Sequence, residues 1–195
     1  MYRTNVPGLS LNNMMPGGHL VTAVALGGTA YIVTGSTELS VGCFVGGFLI
    51  DVDHYLDYLV FEKQWRRPGP ASFLRYYFKN ELQRVVLPLH SLELMTLLTV
   101  IAAIWHLPWL IGYLTGAAMH LAFDIAINGD YTLRNRFLFY VFGYRASKGF
   151  KAVELLERVP VAPGTGSHPY REFFAWRPPV DEPQRRDAVS DLEIS

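Results

Sequence analysis

Two long stretches of this 195-residue chain contain no lysine or arginine: Arg3 is followed only by Lys63, and Arg84 only by Arg134. The apolar residues collect in those same gaps. Half of the chain is hydrophobic and 17% is charged, against roughly 25% charged in ordinary soluble proteins. Four apolar runs approach the ~20 residues needed to cross a hydrocarbon layer: His19–Gly35, Leu39–Phe61, Val85–Trp105 and Pro108–Asn128. A soluble helical bundle would require a polar face on each run. Leu92–Trp105 offers only Glu93, Thr96 and Thr99 as polar breaks. The expected fold is therefore all-α, an integral membrane bundle of about four transmembrane helices. Ser36–Glu38 and His106–Leu107 are short enough to be tight helical hairpins, and Tyr31, Trp105 and Trp109 sit near one set of ends as an aromatic belt would place them.

The basic residues set the expected orientation. Arg3 precedes the first run, Lys63, Arg66, Arg67, Arg75, Lys79 and Arg84 lie between the second and third, and the rest begin at Arg134. With four crossings all of them share one face, which the positive-inside rule makes cytoplasmic. Both termini are expected inside, in a bacterial inner membrane. The segment LSLNNMMPGG lacks a charged n-region and a cleavage site, so the first run is expected to persist in the mature protein. Acidic and basic residues number 17 each, a balance that argues against a nucleic-acid partner. Cys43 has no cysteine partner and reads as a small buried residue. Residues 1–143 read as the transmembrane domain, and 144–195 as a cytoplasmic amphipathic segment and tail. Phe137–Tyr144 is too short to span and is expected at the interface, followed by an amphipathic piece over Lys148–Val159. From Pro160 the Pro, Gly and charge content predicts a flexible tail. Trp65, Tyr76 and Tyr77 in the basic loop suit anchoring to lipid head groups, or a funnel for a phosphorylated substrate.

Ionisable groups inside spanning segments are costly, and here they coincide in depth. At about 1.5 Å per residue from the outer hairpins, His19 lies about 24 Å in, Asp51 and His54 about 18 and 22 Å. Glu93 and His90 lie about 18 and 22 Å in, and His120 and Asp124 about 18 and 24 Å. All occupy one slab in the cytoplasmic half of a roughly 30 Å core. Spacing agrees with depth, because His120/Asp124, His90/Glu93 and Asp51/His54 are each three or four residues apart on one helix face. In the fourth run Gly112 and Gly116 continue the row of His120 and Asp124, and Gly42 and Gly46 share that spacing in the second, as close helix packing requires. Imidazole and carboxylate together suit zinc, manganese or ferrous iron, and an inward cluster of this kind can hold paired metals. His19, Asp51, His54, His90, His120 and Asp124 are the expected ligands of one or two divalent ions. Glu93 is open between ligand, general base and a partner orienting a histidine. Asp53 lies well round the helix from Asp51; a second metal, the loop face and a local cap are open to it. Glu93 and Asp53 are the candidate catalytic carboxylates. Asp57 is expected to reach water or a basic loop residue. Ser91 reads as a helix-local hydrogen-bonder, His106 as structural and His168 as solvated.

The pattern of His19, DVDH over 51–54, HS at 90–91 and HLAFD over 120–124 resembles the YdjM-type membrane-bound metal-dependent hydrolases. The resemblance covers about residues 14–130. Members carry R-G-x-T-H-S in the third helix, where this chain reads LPLHS. The ligand pattern is also similar to that of zinc-dependent phospholipases C. What this implies is a hydrolase acting on an ester or phosphoester, here of a lipid or lipid-linked substrate, with metal-activated water. The other classes that fit an intramembrane His/carboxylate slab are a redox protein, with di-iron or haem, and a non-catalytic metal or cation binder. The carboxylates argue against haem, which needs none. The apolar outer halves of the third and fourth runs argue against a conduction path.

Overall fold

Helix α1 (Pro16–Thr34) stops where Gly35 takes a positive φ of 69°, a conformation that terminates helices without steric cost. Ser36 then starts α2 (Thr37–Gly47), its hydroxyl accepting from the Leu39 N–H at 3.2 Å. The second hairpin is as tight. Helix α5 (Leu92–Trp105) ends on His106 at φ 50°, and Leu107 leads into α6 (Pro108–Phe123) with Pro108 in its first turn. His106 is thus a C-terminal helix cap, the structural role expected of it.

In this computed structural model the described residues are 16–79, 81–128, 133–156 and 168–174. The remaining helices are α3 (Val52–Val60), α4 (Pro70–Phe78), α7 (Phe142–Ser147), α8 (Ala152–Leu155) and α9 (Pro169–Phe173). Short 3₁₀ turns cover Leu49–Asp51, Pro88–His90 and Leu138–Tyr140, and a π turn over Asp124–Asn128 extends α6. Among the described residues strand pairing is limited to two isolated bridges, Arg84 with Lys151 and Leu133 with Leu156. The all-helical expectation holds.

The number of spans is smaller than expected. Helix α1 and the stretch 108–127 are each long and apolar enough to cross a membrane, which marks this as a membrane protein. Helix α2 and Leu49–Val60 qualify only as a pair, bent by 47° at the break between them. The run at Val85–Trp105 yields 14 residues of helix, about 21 Å against a core of roughly 30 Å. Two to three spans replace the four read from the sequence. The reason is local: Val85–Ser91 is spent on a non-helical approach, with Leu87 in the left-handed region at φ 44° just before Pro88.

Helices α2 and α6 form the centre of the bundle. A Cβ built on Gly42 or Gly46 would come within 3.0 Å of backbone atoms around Trp109 and Tyr113, and one on Gly112 or Gly116 within 3.0 Å of Leu39 or Cys43. Glycine at these positions lets the two backbones touch. Cys43 is buried in this contact, as expected.

A second apolar core lies beneath, formed by Val85, Leu87, Leu121, Phe139, Tyr140, Ala152 and Leu155. The Val85 N–H donates to Phe150 O at 2.8 Å and the Ala152 N–H to Gln83 O at 2.8 Å. Phe139 and Tyr140 were expected at the membrane interface; they are core residues instead. The boundary read after Gly143 falls inside α7. Of the amphipathic piece over 148–159, one short helix, α8, is described, and its last three residues lie outside the described set. The tail expected from Pro160 lies mostly outside it too. His168, within the described part, is exposed as expected.

Candidate metal centre

The break between α2 and α3 builds the first part of the site. In an uninterrupted helix the Asp51 N–H would bond to Gly47 O. Here it turns to Phe48 O at 3.3 Å, and the freed Gly47 carbonyl lies 3.0 Å from His120 Nδ1. A carbonyl only accepts, so Nδ1 carries the proton and Nε2 presents its lone pair to the bundle interior. The 3₁₀ turn after the break then carries Asp51 inward, and the first turns of α3 carry Asp53 and His54.

His90 is fixed in the same way by a different partner. Its Nδ1 is 3.0 Å from Asp53 Oδ2, and that same oxygen accepts the Leu89 N–H at 3.0 Å. Asp53 is fully buried. It stands behind His90, on the side away from the cluster, and orients the ring. Neither a place among the ligands nor a place facing the loop describes it, and as a candidate catalytic carboxylate it is replaced by an orienting one.

All six expected ligands meet. His19, His120 and Asp124 form one group and Asp51, His54 and His90 another, each with its donor atoms within 4.8 Å of one another. His19 Nε2 is 3.3 Å from Asp124 Oδ1, and His120 Nε2 is 3.4 Å from Asp124 Oδ2. Asp51 Oδ1 joins the groups, at 3.3 Å from His120 Nε2, 3.5 Å from His90 Nε2 and 3.7 Å from His54 Nε2. The π turn beginning at Asp124 sits where an irregular helix often marks a functional position. His19, His90 and His120 are buried, and Asp51, His54 and Asp124 retain partial access, so the cluster is not sealed off. Tyr77 of α4 lies edge-on to the His54 ring at 5.4 Å between centroids.

Distances between donor atoms test the fit to a metal. His90 Nε2 and His120 Nε2 are 3.3 Å apart. Both Nδ1 atoms are committed as donors, so in the neutral rings both Nε2 atoms are bare lone pairs pointing at each other. That arrangement is repulsive unless a proton or bound cations engage the lone pairs. Two donors at about 2.0–2.1 Å from one tetrahedral metal are about 3.3–3.4 Å apart. Within one group His120 Nε2 and Asp124 Oδ2 are separated by 3.4 Å, and within the other His90 Nε2 and Asp51 Oδ1 are close to that, at 3.5 Å. The donor set fits a divalent transition metal.

Glu93 is not part of this arrangement. Its side chain is exposed and its two oxygens accept the Phe142 N–H at 2.8 Å and the Gly143 N–H at 3.0 Å. Lying on the first turn of α5, it points to the start of α7 and binds the free N–H groups there. The reading of Glu93 as ligand or general base is therefore corrected. Asp57 also departs from expectation: it is buried, and its Oδ2 accepts the N–H groups of Val86 at 2.6 Å and Leu87 at 3.2 Å. Ser91 caps α5 by accepting from Leu94 N–H at 3.2 Å, as a helix-local residue does.

Sequence reading missed two contributors. The Gly47 carbonyl left no signal, since any residue supplies one. Arg145 did leave one, as the sole basic residue of the run FLFYVFGYRA. No family model, curated protein or solved structure matches the chain.

Proposed function

We propose that this protein is a membrane-embedded metal-dependent hydrolase that cleaves a phosphoester of a lipid or lipid-linked substrate. The observation that carries the reading is the convergence of four histidines and two aspartates into two adjoining three-donor groups linked through Asp51. His19, His120 and Asp124 would hold one ion, and Asp51, His54 and His90 a second, with zinc, manganese or iron suited to the donors. Bound there, divalent metals supply Lewis acidity and activate water at neutral pH.

The chain's own residues do the rest. Gly47 O and Asp53 hold His120 and His90 in the tautomer that leaves Nε2 free. The two carboxylates carry two negative charges against the four of a divalent pair, which leaves a positive centre suited to an anionic phosphoester. The partial exposure of Asp51, His54 and Asp124 supports entry of a reacting group to the cluster. The apolar helices around it keep the substrate's hydrocarbon in the bilayer.

The test is turnover of aryl phosphodiesters, phosphomonoesters and short-chain phospholipids by detergent-purified protein. Activity should vanish with chelator and return with zinc or manganese. Metal-loaded protein that is inert on every ester class, yet shows a di-iron or haem absorption spectrum, would move the assignment to redox chemistry.

A further inference from the structure

Arg145 is fully buried, and no carboxylate lies within ion-pair distance of it among the described residues. Burying a guanidinium is costly unless its N–H groups are satisfied. Here the two Nη groups go to backbone carbonyls: Nη1 donates to Phe139 O at 2.6 Å and to His90 O at 3.2 Å, and Nη2 to Leu87 O at 2.8 Å. Nε is buried with no hydrogen-bond partner among the described residues. The rings of Phe139 and Phe142 lie 5.5 and 5.7 Å from the guanidinium carbon. Burial lowers its pKa while the Asp53, Glu93 and Asp57 carboxylates hold it up, and an arginine so placed stays charged.

Leu87 and His90 are the two ends of the turn that delivers His90 to the cluster. One rigid fork grips both carbonyls, so it sets the separation of those ends. Asp57 holds the same segment from the opposite side through the Val86 and Leu87 N–H groups, and Asp53 holds it through Leu89 N–H. Between these contacts Leu87 is kept in a left-handed conformation, which is strained for a non-glycine residue when nothing enforces it. Lysine could supply the charge but not the fork.

We infer that Arg145 is a positioning residue for His90, and that the segment 137–156 is thereby a working part of the centre, required for metal in the Asp51/His54/His90 group. The inference rests on the metal reading of the cluster. It separates the two groups: the His19/His120/Asp124 group hangs on α1 and α6 and makes no contact with Arg145 among those given above.

Cobalt(II) titration of wild type, Arg145→Lys and Arg145→Met in detergent, followed by absorption, tests it. Wild type is expected to bind two equivalents. Both variants should bind the first as wild type does and the second about 10–100-fold more weakly, the usual effect of removing an orienting partner. The lysine variant should not rescue, and hydrogen exchange should rise at Val86–His90 but not in α6. Asp57→Asn, which loosens the same segment from its other side, should give the same selective loss if the arginine variants fail to fold. Arg145→Lys binding both equivalents with wild-type affinity would overturn the role of Arg145 alone, as would equal weakening of both. A wild type that binds no cobalt would sink the metal reading and this inference with it.

Discussion

Asp53 offers a sharp test of how the centre is tuned, because a single oxygen does two jobs. Oδ2 accepts both His90 Nδ1–H and Leu89 N–H, each at 3.0 Å, while Oδ1 is buried without a hydrogen-bond partner. Asparagine can place its carbonyl oxygen at the Oδ2 position and keep both bonds. What it loses is charge, and charge-assisted bonds are roughly twice as strong as neutral ones. Its NH₂ would also occupy the unpartnered Oδ1 position. Asp53→Asn should therefore weaken metal in the Asp51/His54/His90 group by about tenfold, near 1.4 kcal/mol and the low end of the range for outer partners. Asp53→Ala removes the acceptor altogether. It orphans two buried N–H groups, at roughly 1–3 kcal/mol each, and releases the ring to either tautomer. Its effect should approach 100-fold, or about 2.8 kcal/mol. Competition between the protein and a fluorescent zinc chelator measures both variants against wild type. If alanine and asparagine leave the affinity unchanged, Asp53 does not tune His90. If they weaken both metal equivalents alike, the two groups are not separable as described.

Glu93→Gln should keep its metal and its rate, since the carboxylate serves the start of α7; a loss of metal would return Glu93 to the site. The double change His120→Ala with Asp124→Ala should abolish most metal by elemental analysis, because it removes two of the three donors of one group and, with His120, a neighbour of Asp51 in the other. Cysteines at Glu38 and His106, in a Cys43→Ser background, should react with an impermeant thiol reagent on intact cells, and cysteines at Gln64 and Ser190 should not, provided that the 14-residue α5 still carries His106 to the face of the first hairpin. The opposite pattern would invert the orientation, and labelling of Glu38 without His106 would show that α5 does not cross. Gly46→Leu should abolish folded protein in a thermal assay, as the side chain would meet the backbone at Tyr113 and Ala117.

The cluster was legible in the sequence because depth and spacing are one-dimensional quantities. The rise per residue is nearly constant in a helix, so His19, Asp51, His54, His90, His120 and Asp124 could be ranked by height before any packing was known. Glu93 failed because height along a helix says nothing of direction. The ranking assumed that Glu93 and His90 lie on one continuous helix three residues apart, whereas α5 begins only at Leu92 and His90 belongs to the turn before it. Their faces are unrelated. The span count failed likewise: hydropathy averages over Leu87–Pro88 and over the break at Phe48 without registering either. The roles of Asp57 and Arg145 lay beyond reach because the backbone groups they hold at Val86, Leu87 and His90 are 29 to 58 positions away, and a lone arginine in an apolar run does not say which carbonyls it binds.

The irregular backbone and the polar cluster are one feature. Non-helical backbone at membrane depth is tolerated only where protein satisfies its hydrogen bonds, and each irregularity here hands a freed group to the site. The break at Phe48 releases Gly47 O, which accepts a hydrogen bond from His120 Nδ1–H. The non-helical approach to α5 releases the N–H groups of Val86, Leu87 and Leu89 to Asp57 and Asp53, and the carbonyls of Leu87 and His90 to Arg145. Straight helices would have satisfied the same groups internally, but they would have left His90 and His120 without orienting partners and Asp57 and Arg145 with no reason to be buried. The broken helices are therefore part of what orients the two rings whose Nε2 atoms face each other at 3.3 Å. A chain that needed only to cross the bilayer would have no use for them.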